Sequence, residues 1–147
     1  MLGYVLVAIG SALGGMARYG CTLVVTGWLG DGFPWATVMI NVVGSFVIGG
    51  FAALSAEDGR WPTGPGARLF VMTGICGGYT TFSSFSLQTI ELARHGDRLG
   101  ALANVGSSIA LCLLAVWLGH AGAVALRRPP ALHVEHDLGG GRPKSQV

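Results

Sequence analysis

Phe82 and Phe85 stand among Thr80, Thr81, Ser83, Ser84 and Ser86, and this mixture suits one kind of chemistry that needs no fixed charge. Residues three apart share a helical face. Aromatic ring edges carry positive potential, and hydroxyls donate hydrogen bonds. Together they bind a small anion strongly enough to offset dehydration and weakly enough to let it leave, as conduction requires. Most Phe pairs serve core or lipid packing, but a lipid-facing pair is not usually interleaved with Thr81, Ser83 and Ser84. Asn41, followed by Gly44, Ser45 and Gly49, offers an amide donor for the same path; its competing use is hydrogen bonding between helices. Ser108 lies one turn from Asn104 and one from Cys112, so the three form a polar line along one face, with the same competing use. Arg18 sits inside an apolar segment, where a cation costs at least about 2.5–3.5 kcal/mol at the bilayer centre. Either it snorkels to the headgroups from near a helix end, or it is a vestibule charge that attracts anions or pins a neighbouring helix.

The elements that must position these residues are membrane helices. Only 11% of the 147 residues are charged and 51% are hydrophobic, against roughly 25% charged in soluble domains. No charged residue occurs in 32–56, 69–90 or 99–126, and about 20 apolar residues span the hydrocarbon core. With the N-terminal segment this predicts an all-α membrane protein of four helices: Leu2 to about Val25, Trp35 to Ser55, Ala67 to Ala93 and Leu99 to Leu126. The N-terminal segment lacks a basic n-region and reads as a retained helix rather than a signal peptide. Residues 1–126 form the membrane domain, and 127–147 form a polar tail expected to be disordered. The third helix is interrupted. Residues 74–86 contain Gly74, Gly77 and Gly78 beside five Ser and Thr hydroxyls, and irregular backbone at membrane depth survives only where protein or a water-filled cavity satisfies it. The expected break lies near Gly77 and Gly78, and such breaks mark ion or substrate paths.

Other functions lack their residues. No nucleophile–base pair or metal cluster lies in the spans, so catalysis is not expected. No nucleotide motif implies an ATP drive, and nothing points to nucleic acid as a partner. Cys21, Cys76 and Cys112 have no metal or disulfide spacing and read as small apolar side chains. His133 and His136 fall in the tail and are not read as a metal site. A proton-coupled exporter of the small multidrug type also has four helices, but needs a carboxylate in the first helix, where this chain has none. Short connections put both termini on one side. Within 1–126, Arg60 and Arg68 oppose Arg94 and Arg98, an even charge bias compatible with insertion in both orientations. Gly10 and Gly14 have a GxxxG spacing, which lets another helix approach closely, and close-packing small residues in general suggest a dimer.

Gly77-Gly78-Tyr79-Thr80-Thr81-Phe82-Ser83-Ser84-Phe85 resembles the GGxTTFSTF signature of the CrcB/Fluc fluoride channels. Gly14-Gly15-Met16-Ala17-Arg18 is similar to the family's GGxxR, the run from Asn41 to Gly49 to its NxxGsFxxG, and Ser108 to its helix-four serine. The resemblance covers about residues 2–126. It implies a cell-membrane channel that lets cytoplasmic fluoride leak out passively, built as an antiparallel, dual-topology homodimer or as one half of a heterodimer. It also implies a structural sodium ion at the dimer interface, held by the backbone carbonyls of Gly77 and Thr80. The fluoride pore would use Asn41, Thr81, Phe82, Ser83, Ser84, Phe85 and Ser108, with Arg18 at a vestibule. The family often has Tyr where this chain has Asn104, Ser or Gly near Cys112, and Glu where it has Gln88.

Overall fold

The structure, a computed structural model, describes residues 1–126; the expectations for 127–147, including His133 and His136, lie outside the described residues. Every regular element among them is helical: α1 (Leu2–Leu29), α2 (Trp35–Leu54), α3 (Pro65–Arg68), a π-helical segment (Leu69–Cys76), α4 (Gly77–Tyr79), α5 (Phe82–Arg94) and α6 (Arg98–Ala125). α1, α2 and α6 are each long and apolar enough to cross a membrane. Residues 65–94 form a broken helical run between α2 and α6. The chain is therefore a multi-pass membrane protein.

Local signals set the ends. Gly30, at φ 75°, takes the chain out of α1 and donates its N–H to Thr26 O at 2.9 Å. Gly96, at φ 88°, does the same work after α5; positive φ is cheap only without a Cβ. Asp97 Oδ1 accepts from Gly100 N at 2.7 Å and so caps α6, satisfying one of the donors a helix start leaves open.

Packing is by close backbone approach. α1 lies against the π segment and α4, while α2 lies against α6. A Cβ on Gly10 would come 2.6 Å from Phe70 O, and one on Gly78 2.6 Å from Ser11 O. A Cβ on Gly14 would overlap Ile75 O, and one on Gly119 would overlap Phe46 O. Without a hydrophobic driving force between helices in lipid, such contacts supply the dispersion energy that holds a bundle together. Gly10 and Gly14 thus let another helix approach closely, as their spacing suggests, and that helix belongs to the same chain.

The break lies just past the two glycines. Gly77 and Gly78 are helical, and the extended residues are Thr80 (φ −79°, ψ 160°) and Thr81 (φ −152°, ψ 113°). Gly78 is needed for its missing Cβ rather than for its flexible backbone. The threonines interrupt the helix because side chains from other elements take over their backbone groups.

Candidate functional site

The site is assembled around Thr80 and Thr81. Asn41 on α2 grips Thr81 from both sides: its Nδ2 donates to Thr81 O at 3.0 Å, and its Oδ1 accepts from Thr81 N at 2.8 Å. Arg18 on α1 reaches the same break, where Nη1 donates to Thr80 O at 3.4 Å. Thr80 turns back on its own helix; its N and Oγ1 both donate to Cys76 O at 3.0 Å. Gly44 makes room for this, since a Cβ there would overlap the Thr80 methyl. A helix break at membrane depth must have its backbone satisfied from within the protein, and Asn41, Arg18 and the threonine hydroxyl do this.

Thr81 also starts the second half-helix. Its Oγ1 accepts from Ser84 N at 3.1 Å, capping α5, and donates to Ser84 Oγ at 3.0 Å, with Ser83 Oγ 3.2 Å away. The capped N-terminus of α5 carries partial positive charge, which favours an anion in front of it. Phe82 and Phe85 follow at once, their ring centroids 5.3 Å apart and their planes tilted by 48°. The tilt lets ring edges and faces coexist. The two rings differ in setting: Phe85 is 8% exposed and Phe82 79% exposed.

A cavity of about 450 Å³ brings Asn41, Thr80, Thr81, Phe82, Phe85 and Ser108 together. Gly77 also lines it, as do Met72, Cys76 and Cys112. Among the described residues no charged side chain lines it. Ser83 and Ser84 lie outside this wall, and Arg18 acts from behind the break rather than from the cavity. Arg18 is also not near a helix end, since α1 continues to Leu29. Of its expected alternatives, the structure shows the arginine tied to a neighbouring segment.

The second polar line is longer than its sequence spacing suggests. Asn104 is fully buried. Its Nδ2 donates to Thr89 Oγ1 at 2.8 Å, and its Oδ1 accepts from Ser108 Oγ at 3.4 Å. Thr89 Oγ1 in turn donates to Phe85 O at 2.7 Å. This chain of hydrogen bonds ties α6 to α5 and fixes the turn that carries Phe85. Thr89 was not singled out in the sequence; its position one turn after Phe85 was the available signal. Among the described residues no group of three or more His, Cys, Asp or Glu side chains is placed to hold a metal.

Residues 5–120 match the family model described as CrcB-like protein, Camphor Resistance (CrcB). A protein of Methylocella silvestris named fluoride-specific ion channel FluC is 55% identical over 125 residues, 85% of this chain and 95% of the relative. One of Paramagnetospirillum magneticum with the same name is 56% identical over 128 residues, 87% of this chain and 100% of the relative. A third, from Opitutus terrae, is 54% identical over 123 residues, 84% and 93% of the two chains. The matched region contains α2, the π segment, the Thr80–Thr81 break and α5 entire, together with most of α1 and α6. The chain belongs to the CrcB-like protein family.

Proposed function

We propose that this chain forms a fluoride-selective channel of the cell membrane, through which cytoplasmic fluoride leaks out down its gradient. The observation that carries the reading is the uncharged cavity in which Asn41, Thr81, Phe82, Phe85 and Ser108 meet in front of the N-terminus of α5. Such a site offers a small, strongly hydrated anion hydroxyl, amide and ring-edge donors without the deep trap of a fixed cation. The names of the relatives agree with it. The chain is not an enzyme. The small multidrug exporter has no support in α1, which carries no carboxylate. Proteoliposomes loaded with fluoride test the proposal: wild-type protein releases fluoride rapidly, and Phe82→Ile abolishes release while still eluting as the same assembly. Absence of efflux from folded protein, alone or with a second chain, would sink it.

The active unit in this reading is a dual-topology antiparallel dimer. Its support is the face of α5, where Ser83 and Phe82 are exposed at membrane depth. Lipid is a poor partner for such hydroxyls, and a second copy would cover them. A heterodimer with a paralogous chain would cover them equally; co-expression and co-purification separate the two. The structural sodium belongs to the same interface. Gly77 is exposed at the end of a helix whose last carbonyls have no intrahelical donor. The Thr80 carbonyl faces Arg18 with one of two lone pairs. A hard cation with oxygen ligands suits such carbonyls. Exchange of sodium for N-methylglucamine should weaken the dimer, read by its elution and by its thermal stability in detergent.

A further inference from the structure

We propose that a second cavity, under the 55–64 loop, is the anion-collecting mouth of the central cavity, with Arg68 as its attracting charge and Met72 as the partition between them. This rests on the channel reading above. The second cavity has about 630 Å³ and is lined by Ser55, Glu57, Thr63, Arg68, Met72 and Thr73 among others. Met72 lines the central cavity as well, so one side chain is common to both walls. Arg68, Met72, Cys76 and Thr80 recur every four residues. Arg68 and Met72 line the outer cavity, while Met72, Cys76 and Thr80 line the inner one. One stripe of the broken helix therefore runs from a guanidinium to the break, over at most about 18 Å at 1.5 Å per residue.

The polar groups of the mouth suit an anion. Arg68 is half-buried; its Nη1 donates to Ser55 Oγ and to Ala52 O, two acceptors for a group with five donor hydrogens. Those contacts hold the guanidinium against the wall. Thr63 Oγ1 is buried in the same wall with no hydrogen-bond partner among the described residues. Glu57 is exposed on the same rim and opposes Arg68, so the two charges make predictions of opposite sign.

The test places a thiol at the partition. In a background with Cys21, Cys76 and Cys112 replaced by serine or alanine, Met72→Cys in reconstituted protein is treated with a negatively charged or a positively charged methanethiosulfonate. The ratio of their rates, normalised to a free thiol, reads access and local potential without requiring fluoride to pass. At about 10 mM salt, where charges act over roughly 30 Å, the ratio should favour the negative reagent. It should fall several-fold with Arg68→Gln, be kept by Arg68→Lys and rise with Glu57→Gln. At 1 M salt, where the range is about 3 Å, these differences should collapse. Failure of both reagents to reach the introduced thiol in folded protein, or a ratio indifferent to Arg68→Gln and Glu57→Gln, overturns the proposal. Normal reagent access with no fluoride efflux from wild type would refute the channel reading and leave the mouth standing.

Discussion

Asn41 presents two uses that a single substitution can separate. In this structure its side-chain amide is a clamp: it supplies the acceptor for the Thr81 N–H and a donor for the Thr81 carbonyl. Asn41→Ala removes both. The Thr81 N–H precedes α5, so it has no intrahelical acceptor. Leaving it buried and unmet costs about 1–3 kcal/mol, and the carbonyl loses a bond worth about 0.5–1.5 kcal/mol net. The sum is roughly 2–4 kcal/mol. For a chain of about 150 residues each kcal/mol moves Tm by about 2–4 °C, so a fall of roughly 5–15 °C is expected. Thermal unfolding in detergent, followed by the loss of the native elution peak, measures it. Fluoride efflux should fall in parallel, since Phe82 and Phe85 ride on the helix that Thr81 starts. Asn41→Asp keeps the acceptor but sets a carboxylate oxygen against the Thr81 carbonyl, and should be at least as damaging. An Asn41→Ala protein with wild-type Tm and no conduction would refute the clamp and leave Asn41 as a donor to the ion alone.

Other substitutions probe the frame around the site. Gly14→Leu should prevent assembly of the bundle, because even a Cβ there overlaps Ile75 O; stable, monodisperse protein in detergent would contradict the backbone contact. Asn104→Leu should cost about 1–3 kcal/mol by leaving Thr89 and Ser108 short of a partner, and should slow efflux through the loosened turn of Phe85; unchanged Tm and efflux would dismiss the α5–α6 link. Asp97→Ala should cost about 1 kcal/mol through loss of the α6 cap without altering ion selectivity, read by unfolding and by efflux of competing anions.

Much of this arrangement is legible in the sequence. Gaps between charges give α1, α2 and α6 because hydrocarbon excludes charge, and their ends fall within a few residues of expectation. The exception is α1, where Thr26 to Leu29 stay helical up to Gly30. Phe82 and Phe85 share a face as their spacing requires. The break falls near the glycines as expected, but glycine signals two needs with one letter. Gly78 answers close approach to Ser11, whereas the extended residues, Thr80 and Thr81, are held by Asn41 and Arg18, distant in sequence. Gly10 and Gly14 likewise answer close approach, as their spacing suggests, here to the π segment and α4. The partnership of Asn104 with Thr89 crosses two helices, and no spacing rule within either helix contains it.

The π segment has a consequence for how this chain tolerates change in length. Its wider turn accommodates a surplus residue between Arg68 and Gly77. Each residue of an ordinary helix advances the azimuth by about 100°. Deleting one position from Leu69–Cys76 would either let the segment relax into a regular helix or swing everything downstream by that angle. In the second case Phe82 and Phe85 would leave the cavity wall, and Gly78 would no longer meet Ser11. A lineage carrying this sequence should therefore accept insertions in the 55–64 loop far more readily than a single-codon deletion here. The phase of the pore is kept by the number of residues in that one segment.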